Sequence, residues 1–418
     1  MKSAVSLNDR QKTDLKKALY SSIDFRLTEN AFYHNISVNK SDLAQSLLNI
    51  ENKKRSNIFA WRGQFSPQFI EALLSKYVKN SDVVYDPFLG SGTILYECAR
   101  VGVEAIGTEI NVSAFYMSKF YELCNLNLYE RQSLSEEIEN SLFEINNSKQ
   151  MTSAIKNSIT LSRSQYVKNT LSLLMVILDL YTNPTLDKLF VKWENLKTNI
   201  INLPYCVKPI TAINCDARYA GIPNDTVDVV ITSPPYINVF NYHQQYRASV
   251  EALGFNVLDI AKQEFGSNRK HRGNRLFTVI QYCIDIALTF KELIRVSKDD
   301  SSFIFIVGRE SKVLGIEICN SELVYNIATS IFKLPLSLKQ ERMFKNKFGQ
   351  LIYEDILHLR NNKFHNMPSE QDVIDQARQI AKSYLKGKLD EISSGYKSYE
   401  LILSAINNAE KIMKSEII

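Results

Sequence analysis

The sequence predicts an α/β protein on a mainly parallel sheet, closed at one end by an antiparallel pair and extended by helices. Three observations carry that prediction. First, Val83-Val84-Tyr85-Asp86 is a short apolar strand ending in an acid, followed by a glycine-bearing loop, a helix over Ile94 to Val101 and a strand over Glu104 to Ile110. Strand, loop, helix and strand in so few residues make a parallel α/β unit. Second, strand character returns at 210–214 and 227–232, and Ser302 to Val307 reads as a strand buried on both faces. Third, Leu336 to Phe344 and Ile352 to Arg360 flank Gly349 as an antiparallel pair.

The other elements follow in chain order. Residues 1–56 are polar and rich in Lys, Asn and Ser, with helical periodicity near Asp42 to Ile50, and are predicted to be an N-terminal helical arm. Residues 57–360 are predicted to hold the core. Residues 112–205 interrupt it without clear strands, and helical patterns run over Leu134 to Ile145, Tyr166 to Tyr181 and Leu186 to Ile201. A long helix is expected across Phe277 to Val296. Residues 361–418 read as a helical C-terminal extension. No internal repeat or low-complexity tract is found.

Bulk properties narrow the class. The chain has 418 residues, 45% hydrophobic and 23% charged, as in ordinary globular proteins with a large core. A formal net charge of +5 suits a polyanionic partner, though only weakly. The six cysteines form no Cys-x-x-Cys pair, so reduced structural thiols fit better than disulfides or a zinc site. The first ten residues lack the apolar stretch of a signal peptide. The longest strongly apolar run, Leu171 to Leu178, is too short for a bilayer. A soluble, cytoplasmic protein is expected, with no membrane partner and no metal requirement.

Two motifs carry the chemistry. The first is Asp86-Pro87-Phe88-Leu89-Gly90-Ser91-Gly92-Thr93, between a strand and a helix. Glycines there let backbone approach a ligand, and the helix start offers free N–H groups. A dinucleotide fingerprint would want a small residue at position 95, which is Leu, and a phosphate-binding P-loop would need a Gly-Lys-Ser/Thr triplet, which is missing. Glu109 ends the next strand, where an acid commonly accepts hydrogen bonds from ribose hydroxyls. The second motif, Thr232-Ser233-Pro234-Pro235-Tyr236, follows the strand over 227–231.

Together these motifs resemble those of the DNA amino-methyltransferases, over roughly 57–120 and 205–360. The resemblance implies a Rossmann-like class I methyltransferase core with a mostly parallel seven-stranded sheet, and S-adenosyl-L-methionine as cofactor. It implies that Asp86, Pro87, Phe88, Gly90, Ser91, Gly92, Thr93 and Glu109 bind that cofactor. Asp216, in Asn-Cys-Asp-Ala-Arg, matches the family's acid for the adenine amino group. Arg62 to Gln68 looks like the family's lead-in over the methionine moiety, with Phe65 as its contact residue. Ser233, Pro234, Pro235 and Tyr236 are the expected catalytic residues. An exocyclic amine is a poor nucleophile because its lone pair is delocalised into the ring. Two acceptors, the Ser233 hydroxyl and the Pro234 carbonyl, would favour the pyramidal nitrogen, the prolines stiffen the loop, and Tyr236 can stack on a base swung out of the duplex. A cytosine C5 enzyme needs a nucleophilic Cys, usually after Pro, and no Pro-Cys dipeptide occurs.

Ser before Pro-Pro-Tyr favours cytosine N4 as the target, with adenine N6 as the alternative. An RNA amino-methyltransferase is a less favoured option, because residues 1–56 are short for an RNA-binding domain. A non-catalytic DNA-binding subunit is opposed by the intact Gly90, Gly92, Glu109, Ser233 and Tyr236. The expected partner is double-stranded DNA with a flipped target base, and a restriction-modification setting makes a cognate restriction endonuclease a candidate partner. In the densest basic run, Arg269, Lys270, Arg272 and Arg275 are the expected phosphate contacts. Arg309 and Arg342 are further candidates, and residues 240–247 are candidates for the base pocket. The acids at 109 and 216 usually lie closer together, so 112–205 reads as an insertion, either a target-recognition module or a helical cap.

Overall fold

A computed structural model of the chain describes residues 30–237, 241–266, 271, 273–346, 349–362, 367–393 and 396–417. Nine strands are present among them: β1 (Val83–Asp86), β2 (Glu104–Thr108), β3 (Ile210–Ile213), β4 (Val227–Thr232), β5 (Ser297–Gly308), β6 (Glu310–Val313), β7 (Ile316–Cys319), β8 (Leu336–Lys345) and β9 (Leu351–Arg360). Seven form one sheet in the order β3-β2-β1-β4-β5-β9-β8. The pairs from β3 through β5 are parallel, whereas β9 runs antiparallel to both β5 and β8. This is a Rossmann-like, mostly parallel seven-stranded sheet, as the sequence predicts. The order reverses beside β1, where β1 has β2 on one side and β4 on the other. In such sheets ligands bind at that reversal, outside the carboxyl ends of the strands.

Alternation along each strand divides the core into two layers. Val84, Val229, Ile231, Ile304 and Ile306 face one layer, while Tyr85, Val230, Phe303, Phe305 and Val307 face the other. The first layer is covered by helices Pro67–Tyr77, Thr93–Val101 and Val112–Lys119, and by the helices of the segment leading to β3. The second is covered by Phe277–Val296, by Asn320–Asn326, and by the C-terminal pair Glu370–Asp390 and Lys397–Asn407. Phe277–Val296 is buried on nearly every side because it lies between the sheet and Glu370–Asp390.

Residues 112–205 contain helices and no strand. Leu128–Phe143 begins at a capping box, in which Asn127 accepts from the Glu130 N–H and the Glu130 side chain returns to the Asn127 N–H. Leu134, Ile138, Leu171, Trp193 and Ile200 join the same apolar cluster as β2 and β4. The sequence signals missed several short elements, among them Pro67–Tyr77, Met151–Leu161 and the β6–β7 hairpin. That hairpin turns on Leu314 and Gly315 at φ +52° and +85°, a primed two-residue turn without the usual Asn-Gly or Asp-Gly signal. No described helix is long and apolar enough to cross a membrane, and all six cysteines are free.

Candidate active site

β1 ends in the Asp86-to-Thr93 loop, and β4 ends in the Thr232-to-Tyr236 loop. The two strands are hydrogen-bonded neighbours, so both loops leave the same sheet edge. They are tied directly: the Thr232 hydroxyl donates to Asp86 Oδ1 at 2.6 Å, and the Phe88 N–H donates to the same oxygen at 3.0 Å. Asp86 is fully buried, and burial pushes its carboxyl up to about 7. It acts here as the knot between the two loops.

A cavity of about 870 Å³, partly open to solvent, lies against both loops. Pro87, Phe88, Gly90, Ser91 and Thr93 line it from the first loop, Ser233 and Pro235 from the second, and Glu109, Asp216 and Phe65 from elsewhere. The other predicted site residues of the two loops, Asp86, Gly92, Pro234 and Tyr236, adjoin these lining residues in the chain. Gly92 holds φ +88°, and a Cβ there would lie 2.8 Å from Ser118 Cα and 2.8 Å from the Tyr121 ring. The glycine is thus required by helix packing as well as by the turn. Gly90, at φ +56°, faces Trp61, with 3.4 Å from a notional Cβ to the indole.

Glu109 accepts from the Gly90 N–H and the Asn111 N–H, both at 2.7 Å. Burial, and then the nearby Asp86 and Glu264, raise its carboxyl to about 7, against the lowering effect of those two N–H groups. A carboxylate has acceptor sites beyond these two, so a ligand's hydroxyls can be received on the cavity side. Asp216 is gripped by Arg218, whose Nε lies 2.9 Å from Oδ1 and Nη2 2.6 Å from Oδ2. Arg218 also reaches Asp285 at 2.7 Å and the carbonyls of Ser415 and Glu416, which fixes Asp216 between the sheet edge and the C-terminal segment.

The lead-in segment forms another wall. Gln64 Oε1 accepts from the Ser91 hydroxyl at 2.7 Å, and Asn57 joins Thr93 Oγ1 to the Phe65 carbonyl. Trp61, which sequence reasoning passed over, stacks on Tyr242 with centroids 5.8 Å apart and planes 17° apart, and both line the cavity. Tyr242 belongs to the stretch read from the sequence as a base-pocket candidate, yet its ring packs beside the glycine loop. Gln263, Glu264 and Phe265 continue this cover, and His243 Nδ1 lies 2.8 Å from Glu264 Oε2. Trp61 carries a usable signal, as an aromatic directly before the Arg62-to-Gln68 segment; nothing local marks residues 263–265.

In the second loop, the Ser233 hydroxyl is 3.3 Å from the Tyr236 hydroxyl, which donates to Glu354 Oε1 at 2.8 Å. Of the basic run, Arg269, Lys270 and Arg272 lie outside the described residues, and Arg275 is half-buried just before helix Phe277–Val296. Arg309 and Arg342 differ from the surface contacts expected of them. Arg309 pairs with Asp355 and Glu341, and Arg342 is buried against Glu354. Both charges are committed to acids of β8 and β9, Arg309 from a half-buried position and Arg342 from a buried one.

The donor set suits S-adenosylmethionine. An acid at the end of β2 matches ribose hydroxyls, an acid after β3 matches an amino-purine edge, and a glycine loop and aromatic walls surround the space between. Residues 6–120 match the family described as DNA methylase, a stretch that contains Gly90 and Glu109 and stops before Ser233. The type II methyltransferase M.MjaII of Methanocaldococcus jannaschii is 36% identical over 72 residues, or 17% of this chain and 14% of that protein. The chain therefore spans well under two thirds of the relative it matches. Among solved structures, a SAM-dependent methyltransferase of Methanosarcina mazei is 9% identical, covering 70% of this chain and 98% of that one, with a TM-score of 0.34. An rRNA methyltransferase of Streptomyces viridochromogenes is 13% identical, covering 81% and 96%, with a TM-score of 0.28. At such scores neither structure bears on the fold or the activity, and the fold rests on the strand order itself. Over residues 6–120 the chain is thus similar to the DNA methylases, in the segment that holds the glycine loop and Glu109.

Proposed function

We propose that the protein transfers a methyl group from S-adenosylmethionine to the exocyclic amino group of a base in double-stranded DNA, with cytosine N4 as the target. The observation that carries this reading is the Thr232–Asp86 hydrogen bond at 2.6 Å. It fixes the amine-binding loop to the cofactor loop, so that Ser233 and Gly90 border one cavity. Two loops tied through residues 146 positions apart in the chain are thereby held close together, as an in-line displacement needs.

When bound, the cofactor would supply an electrophilic sulfonium methyl, its S–CH3 bond breaking to a neutral thioether as the N–CH3 bond forms, with the surplus amine proton released to solvent. The protein's own part is positioning. Glu109 and Asp216 hold the ribose and adenine ends, and the Asp86-to-Thr93 loop sets the depth of the methionine end. The Ser233 hydroxyl and Pro234 carbonyl accept the two N–H groups of the target amine, drawing its lone pair out of conjugation toward the methyl carbon. Pro234 and Pro235 lock the carbonyl's direction, since each ring fixes φ. Ser, rather than an acid or amide, before Pro-Pro-Tyr supports cytosine N4. The similarity to a type II methyltransferase of Methanocaldococcus jannaschii supports a restriction-modification setting, in which a cognate endonuclease would recognise the same site.

The test is base-resolved modification mapping of DNA from cells expressing the protein, compared with cells expressing Ser233→Ala. N4-methylcytosine at a defined sequence, lost in the variant, is the expected result. N6-methyladenine at that sequence would transfer the reading to adenine, and unmodified DNA alongside methylated RNA would overturn it.

A further inference from the structure

The register of the last three strands of the sheet puts Gly308, Glu354 and Arg342 in a row, because Gly308 of β5 lies opposite Glu354 of β9 and Glu354 lies opposite Arg342 of β8. Each position has a consequence for the amine-binding loop. Gly308 leaves space that the Tyr236 ring fills; a Cβ there would stand 2.5 Å from Tyr236 Cε2. Glu354 is 7% exposed. Its Oε2 is ion-paired with Arg342 Nε at 2.7 Å, and its Oε1 accepts from the Tyr236 hydroxyl at 2.8 Å. Arg342 is itself held over the rings of Phe69 and Phe344.

A tyrosine hydroxyl has a single proton. With that proton committed to Glu354, the Tyr236 oxygen can meet the Ser233 hydroxyl, 3.3 Å away, only as an acceptor. The Ser233 proton must then point at Tyr236, away from the cavity. What remains on Ser233 Oγ is its pair of acceptor sites. We infer that Glu354 is a positioning residue that sets the polarity of a Glu354–Tyr236–Ser233 relay, so that Ser233 presents an acceptor and not a donor to the target amine.

This inference rests on the proposed function, in which Ser233 accepts an amine N–H. A free serine hydroxyl rotates and would spend part of its time donating toward the substrate. The relay removes that freedom with a carboxylate that is itself anchored by Arg342 and carried on a strand, the kind of rigid support a positioned group requires.

Glu354→Gln tests the polarity without changing the side chain's shape. The amide NH2 can donate to Tyr236, which frees the tyrosine proton for Ser233 and turns the serine proton toward the amine. The assay follows tritium from labelled S-adenosylmethionine into unmethylated plasmid DNA in single turnover, with S-adenosylmethionine affinity measured in parallel. Glu354→Gln should slow transfer on the order of tenfold, the effect of about one hydrogen bond, while cofactor affinity stays at the wild-type value. Tyr236→Phe should slow it similarly, and adding Glu354→Gln to Tyr236→Phe should cost nothing more, because the relay is already cut. Wild-type transfer by Glu354→Gln, or the same further loss in the Tyr236→Phe background, overturns the relay. Should Glu354→Gln fail to fold, Tyr236→Phe decides alone, and an undiminished rate there overturns it too. If the wild-type protein moves no label into DNA, the proposed function falls and the relay with it. An active wild type with unaffected variants removes only the relay.

Discussion

Gly90 and Gly92 sit two residues apart in one loop, both with positive φ, and the structure predicts opposite failures when each gains a methyl group. At Gly92 the new Cβ would lie 2.8 Å from Ser118 Cα and 2.8–2.9 Å from two atoms of the Tyr121 ring. Ser118 Cα is backbone of helix Val112–Lys119, and Tyr121 is fully buried, so neither can swing aside. The left-handed backbone costs an alanine about 1–2 kcal/mol, and forcing a methyl into a close-packed site costs about 1–3 kcal/mol more. Gly92→Ala should therefore lose about 2–5 kcal/mol of stability. At Gly90 the notional Cβ meets only the Trp61 indole, at 3.4 Å, so Gly90→Ala should lose only the backbone part, about 1–2 kcal/mol. Its methyl group would, however, stand on the cavity wall beside the indole and weaken S-adenosylmethionine binding. Urea unfolding of the two variants, with cofactor affinity measured in the folded baseline, separates these effects. Equal unfolding midpoints for Gly90→Ala and Gly92→Ala would show that the helix behind Gly92 gives way, and the packing argument would be wrong.

Glu109, raised to about 7 in the folded chain, predicts two opposite pH trends. The folded chain keeps a proton that an ordinary unfolded glutamate releases near ~4.3. This group's contribution to stability is therefore full below about pH 4.3 and falls, by up to about 3 kcal/mol, as pH rises to 7. Glu109→Gln should remove that part of the pH dependence in urea titrations; an unchanged slope counts against the assignment. Cofactor affinity should run the other way, rising from pH 6 to 8 as the carboxylate ionises to receive ribose hydroxyls, with calorimetry showing a flat, weakened profile for Glu109→Gln. Arg218→Met strips the cation from between Asp216 and Asp285, and removing one member of a buried ion pair costs about 3–5 kcal/mol. Because Asp285 is already raised to about 6 by burial, it protonates readily once unpaired, so the loss should be smaller at pH 5 than at pH 8. An equal loss at both pH values would refute this role for the buried charges.

The sequence by itself determined the parallel sheet and the two loops, because both depend on short-range patterns. Val83 to Asp86 is a short apolar run ending in an acid, as suits a buried central strand, Gly90 and Gly92 have the backbone freedom the loop exploits, and Pro234-Pro235 can be little other than a stiff turn. Glu109 was legible for the same reason, as an acid at the end of the strand that follows a glycine loop. What it left open was set by register and packing, which bring together residues with no local relation. Trp61 and Tyr242 become a stacked pair only once the lead-in and the segment after the second loop fold over one edge. Arg342 resembled a surface charge until the pairing of β8 with β9 put it opposite Glu354. Gly308 lies just beyond the strand read over Ser302 to Val307 and has no local mark; its missing side chain is the space for Tyr236. Local sequence fixes how each segment can bend and which face it buries. Which charges meet in the interior depends on strand neighbours far apart in the chain, and only the closed sheet decides them.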